Sequence, residues 1–168
     1  SKEVDQRFNE KGFFDNYTRT LRELRDGARQ RMLTIAESFF DTLESEGLSP
    51  DDLANKKRCI ASFFYKLKDG IFDESIVNAT VANCLEDPAK WYAKSSPRRE
   101  QIHILADGVL GHLLRQAVDE RPRQYRLYQS AKLTLRHLNQ LRLLGSIEKK
   151  GRELNENNNR FLLSDTQQ

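Results

Sequence analysis

SAKLTLRHLNQLRLLGSIEKKGRELNENNNRFLL, residues 130–163, is the stretch on which the fold of this 168-residue chain turns. Leu135, Leu138 and Leu141 recur at helical spacing on one side, with Gln129, Lys132, Arg136 and Gln140 on the other. Gly145 follows Leu143 and Leu144, where a left-handed helix cap suits glycine best. Beyond it, Ile147 sits in 146–150, and Phe161 and Leu163 alternate in 160–163, as in two short strands. Between them Gly151, Arg152 and the run Asn155, Glu156, Asn157, Asn158, Asn159 have turn chemistry. The spacing predicts a helix, a glycine stop and a small β-hairpin.

Working outward, residues 98–120 read as a helix with Ile102, Leu105, Val109, Leu113 and Ala117 on one face. Ile104, Leu110, Leu114 and Val118 widen that face, and Gly108 and Gly111 permit close approach of neighbours. Arg121-Pro122 ends or restarts this helix. Residues 123–129 then form a short helix, with a turn before Ser130, an acceptable N-cap. Leu127, Ala131, Thr134 and Leu138 fit a single uninterrupted helix over 122–144 equally well. The broken version is preferred because the downstream hairpin makes most sense beside a short helix. The capping pattern Ser96, Pro97, Glu100 marks the boundary between residues 1–94 and 95–168.

The N-terminal part is helical. Phe14, Tyr17, Leu21, Leu24, Ala28, Met32, Ile35, Phe39 and Leu43 step in threes and fours, the signature of one long amphipathic helix over 13–46. Such a helix spans on the order of 45–50 Å, more than a domain this small is wide, so its apolar stripe invites a second copy of the chain or a folded-back helix. Gly27 is a place to bend it. Ser49-Pro50-Asp51-Asp52 starts a second helix that buries Cys59, Ile60, Phe63, Phe64 and Leu67 and exposes Lys56, Lys57, Arg58, Lys66 and Lys68. Asp73 caps a third, and Trp91-Tyr92 reads as a packing plug.

The order helix, glycine, strand, polar tip, strand in 130–163 resembles the recognition helix and wing of the winged-helix DNA-binding superfamily. The likeness covers a fifth of the chain well. It implies a mainly α fold, with an N-terminal helical bundle for packing or oligomerisation over 1–94. A winged helix-turn-helix with a small β-hairpin follows over 95–168. It further implies that Ser130, Lys132, Arg136, His137 and Gln140 face a major groove of double-stranded DNA, Arg136 and Gln140 toward base edges. Arg123 and Arg126 would lie near phosphates, and Lys149, Lys150, Arg152 and Arg160 would sit on the wing. Function would then be transcription regulation or replication and partition.

Charge agrees with a polyanionic partner: 121–160 holds ten Arg or Lys against three Glu, a balance of +7 in a chain of net charge +3. Leu133 and Leu143 stand out on the reading face, where a protein partner would use both. The rival reading is therefore a helical adaptor or assembly protein; a third is an RNA-binding helical protein. No nucleotide-binding, zinc-protease or nucleophile-elbow motif is present, so neither enzyme chemistry, a cofactor nor a metal is expected. No stretch has the roughly 20 apolar residues of a membrane helix. The polar N-terminus lacks a signal peptide's apolar core. Cys59 and Cys84 lie in apolar patterns, as buried thiols of a cytoplasmic or nuclear protein would.

Overall fold

The computed structural model describes the backbone of residues 2–55 and 59–166, and the side chains of 10–55, 59–145, 151 and 154. Its α-helices are α1 (Lys2–Ser45), α2 (Ala61–Lys68), α3 (Ala79–Glu86), α4 (Arg99–Asp107) and α5 (Val109–Thr166). Short 3-10 turns lie at Pro50–Asp52, Glu74–Ile76 and Pro88–Trp91. The chain is mainly helical, as expected, but the winged helix-turn-helix is not there. Among the described residues there is no strand, and 146–166 continue α5.

Three stops predicted from sequence fail for physical reasons. Gly145 stays helical, at about 1 kcal/mol against alanine, because the residues around it are mostly good helix formers. A lone two-stranded ribbon, by contrast, is marginal in water. Pro122 lies inside α5; the flanking turns are held by packing, with Arg121 buried and donating from Nη1 to the Phe72 carbonyl at 3.2 Å. Nor is there a turn before Ser130, whose carbonyl accepts a hydrogen bond from Thr134 Oγ1 at 2.7 Å. Conversely, the single helix expected over 98–120 breaks at Gly108 (φ −111, ψ −117). A Cβ on Gly111 would lie 2.1 Å from the Ala106 carbonyl oxygen, so only glycine fits that close approach.

The chain forms two compact units, and α1 and α5 pass through both. One spans Glu23–Gln129; the other combines α1 up to Arg22 with α5 from Ser130. In the larger unit, α1 and α5 run antiparallel, joined by the Arg31–Glu120 pair at 2.7 Å. Around them α2, α3 and α4 enclose a core that includes Met32, Phe39, Phe64, Phe72, Trp91, Ile102 and Leu114. Phe39 and Phe64 stack with ring centres 3.9 Å apart, and Tyr125 and Tyr128 set their rings edgewise to Phe72. α1 ends at Ser45, and Gly47 (φ 68) supplies the left-handed turn after it. The third helix begins later than its Asp73 signal: Asp73 caps the 3-10 turn, and Asn78 caps α3 through the Val81 amide. Lys56, Lys57 and Arg58 lie outside the described residues.

The smaller unit is an antiparallel helical hairpin. Leu21, Ala131 and Leu135 are buried against one another with Leu138 beside them, and Asp15 pairs with Arg142. The inward positions are Phe14, Thr18 and Leu21 on α1 and Ala131, Leu135, Leu138 and Arg142 on α5, a four-three alternation typical of coiled-coil packing. Two inward expectations change. Tyr17 is 43% exposed, while Thr18 next to it is buried and donates from Oγ1 to the Phe14 carbonyl at 2.9 Å. Leu141 is 60% exposed, and Arg142 takes the seam instead, its guanidinium 4.4 Å from the centre of the Phe14 ring.

Candidate functional site: two sides of a helical hairpin

Lettering each heptad a to g with a and d in the seam, Thr18, Leu135 and Arg142 fall at a, and Phe14, Leu21, Ala131 and Leu138 at d. When two helices run antiparallel, their e positions share one side of the seam and their g positions the other. The Arg142–Asp15 pair, 3.4 Å, joins an a position to an e position and so marks the e side.

The e side is basic. Arg22 and Lys132 occupy e positions, and Arg19 and Arg136 stand just behind them at b; all four are exposed. Asp15, the carboxylate described on that side, is taken up by Arg142. Arg19 bonds the Asn16 side chain at 2.9 Å. Among the described residues no carboxylate forms an ion pair with Arg19, Arg22 or Arg136. Residues 121–147 hold six Arg or Lys and no Asp or Glu, so α5 brings no acid to this side before Glu148.

The g side is apolar and poor in charge. Phe13, Tyr17, Leu141 and Leu144 occupy its c and g positions and are 73%, 43%, 60% and 56% exposed. The Phe13 and Tyr17 rings lie parallel, centres 6.4 Å apart. Thr20, Ser130, Thr134 and His137 also lie on this side, and Glu10 is the one formal charge described on it.

The residues expected to read DNA do not form one face. Arg123 and Arg126 are exposed in the larger unit. In the hairpin, Lys132 and Arg136 lie on the basic side, Ser130 and His137 on the apolar side, and Gln140 at f, opposite the seam. Ten residues of a single helix turn through nearly three revolutions, so a set this closely spaced must scatter. Lys149, Lys150, Arg152 and Arg160 lie outside the described side chains, and α5 offers no wing to carry them. Leu133 and Leu143 are both exposed but diverge, Leu133 at f and Leu143 at b. Arg19 and Arg22 were not legible as site residues from sequence. Their three-residue spacing puts them on one strip of α1, but only the pairing of the helices sets that strip beside Lys132 and Arg136.

In the larger unit, Tyr92, Arg99, Glu100, His103 and Ile104 line an open cleft of about 410 Å³. There Tyr92 Oη meets His103 Nδ1 at 2.8 Å. Hydrogen bonding to Arg31 holds the Glu120 carboxyl below the usual range. Burial raises the Cys59 thiol, and pushes that of Cys84 up to about 12. Among the described residues no three His, Cys, Asp or Glu cluster as a metal site would require, and no helix is long and apolar enough to cross a membrane. Comparison with family models, curated proteins and solved structures finds no match for the chain.

Proposed function

We propose a non-catalytic assembly protein that acts by self-association, two copies packing the apolar sides of their hairpins into a four-helix bundle. The observation that carries it is the exposed set Phe13, Tyr17, Leu141 and Leu144, contributed by both helices of one unit. At the exposures found, these four leave on the order of 400 Å² of apolar surface open, as much as the largest patch on an ordinary monomer. A standard interface buries about 800 Å² per partner with an apolar centre and a polar rim, so the patch supplies such a centre. A second copy suits it because a two-fold axis sets each patch on itself. The near-absence of charge there avoids like-charge contact, and the basic sides stay in solvent. Two buried, unpaired thiols fit a reducing compartment, the cytoplasm or the nucleus. The rival winged-helix reader of DNA is set aside with its fold.

Sedimentation equilibrium of the full chain tests this. The wild type is expected to be a dimer at micromolar concentration, and Leu141→Asp with Leu144→Asp a folded monomer. Leu133→Asp, on the far side of α5, should leave the dimer intact. A monomeric wild type, or a double variant that still dimerises, ends the proposal.

A further inference from the structure

We infer that the cleft lined by Tyr92, Arg99, Glu100, His103 and Ile104 is a binding site for a free α-amino acid with an apolar side chain. Its volume is about 410 Å³, toward the lower end of ligand pockets, which run from about 300 to 1,000 Å³. That size suits a small metabolite. All five residues belong to the larger unit.

Two neighbouring side chains define the charges of the ligand. Arg99 and Glu100 stand in the first turn of α4, both exposed, and they do not pair with each other. Adjacent residues of opposite charge can close such a pair: Arg25 and Asp26 do so at 2.9 Å. Arg99 instead donates from Nη1 to the Ser96 carbonyl at 3.1 Å, and the rest of its fork of donors stays open to a ligand. Among the described residues no donor holds the Glu100 carboxylate. A simple anion or cation would satisfy one of the two and meet the other as a like charge. A zwitterion satisfies both, its carboxylate on the guanidinium and its ammonium on Glu100. An α-amino acid carries those two charges on a single carbon, as two neighbouring side chains require.

The remaining wall selects what hangs from that carbon. Ile104 is 71% exposed, more than any other large apolar side chain described in the larger unit. It shares the cleft with the Tyr92 ring, which His103 holds in place through the bond to Nδ1 and an edgewise ring contact, centres 5.7 Å apart. A wall already ordered costs little to use, and an aliphatic side chain laid on it takes Ile104 out of water.

Titration of the full chain with L-leucine, followed by amide shifts in proton–nitrogen NMR, tests this. Saturable shifts are expected at Tyr92 and over 99–104, and none in the hairpin. Three analogues each remove one contact: N-acetyl-leucine the ammonium, leucinamide the carboxylate, glycine the side chain. Each should bind about tenfold more weakly, the usual cost of one charge-assisted bond or one covered apolar side chain. Arg99→Gln should weaken leucine by about the same factor and leave leucinamide as it was. Glu100→Gln should weaken leucine and leave N-acetyl-leucine as it was, and Ile104→Ser should bring leucine down to glycine. All three side chains are exposed, so each variant should keep the wild-type Tm. No saturable shift at millimolar leucine, analogues that bind as leucine does, or an Arg99→Gln loss that extends equally to leucinamide overturns the inference. The Leu141→Asp, Leu144→Asp chain should bind leucine as the wild type does, so this site and the dimer stand or fall separately.

Discussion

Cys84 shows how much of a residue's chemistry here is set by what encloses it. It is 6% exposed, close to Trp91, whose indole N–H donates to the Cys84 carbonyl at 2.9 Å. Burial first, and the neighbouring Cys59 second, push the thiol up to about 12. Since the thiolate is the nucleophile, Cys84 in the native protein should react with iodoacetamide at pH 8 far more slowly than a free thiol, by about a hundredfold or more, and should label at once in denaturant. Rapid native labelling would contradict its placement. The linkage has a definite sign. A raised folded value makes the contribution complete below the unfolded thiol range, near pH 8.5, and lost as pH climbs toward about 12. Sequence placed both cysteines in apolar patterns, and Trp91 with Tyr92 in a packing plug. Trp91 is indeed 1% exposed. Tyr92 turns instead to His103, a partner eleven residues away that helical spacing alone has no means of selecting.

Among the elements, α1 and α5 owe their pairing in the larger unit to packing, with one charged clasp at Arg31 and Glu120. Both side chains are about a third exposed, at 39% and 33%, so solvent screening limits the clasp to about 0.5–1 kcal/mol despite its two-bond geometry. Hydrogen bonding to Arg31 lowers the Glu120 carboxyl. The stabilisation is therefore present above the unfolded glutamate range and disappears as pH falls through the lower folded value. Urea melts of wild type and Glu120→Gln should differ by that amount at pH 7 and draw together as pH falls below the ordinary glutamate range; a constant difference would point to packing instead. Sequence made the C-terminal end of α1 legible from its apolar steps, but it started the helix at 13 where α1 begins at Lys2, and it did not show which neighbours face inward. Hydrophobicity favoured Tyr17 and Leu24, both 43% exposed, over Thr18, which is 5% exposed. A seam repeating every 3.5 residues drifts from one repeating every 3.6, and Thr18 can go inside because its hydroxyl is satisfied within its own helix. The same misplacement recurs at Leu141. It was informative: apolar residues left over from the seam make up the second surface. The hairpin expected over 146–163 is absent for a different reason: residues with turn chemistry make a turn only where further packed elements hold it, and among the described residues there is no strand.

Across the whole molecule, the two units rest on very different amounts of buried apolar surface. In the larger, residues from every helix from α1 to α5 close around Phe39, Phe64, Phe72 and Trp91. In the hairpin the described buried apolar set is Leu21, Ala131 and Leu135, with Leu138 partly covered. Local opening follows buried contact, so the hairpin should open below the global unfolding free energy. Native-state hydrogen exchange should show amides of 14–21 and 131–141 exchanging together, ahead of those around Phe64 and Trp91. Leu135→Ala, at about 2–3 kcal/mol for a buried leucine, should speed exchange in the hairpin and leave the larger unit unchanged. If two copies pair through Phe13, Tyr17, Leu141 and Leu144, protection in the hairpin alone should also rise with protein concentration, because the dimer stabilises only the state that binds. Exchange of the hairpin solely through global unfolding, at every concentration, would mean that the core of the larger unit governs both.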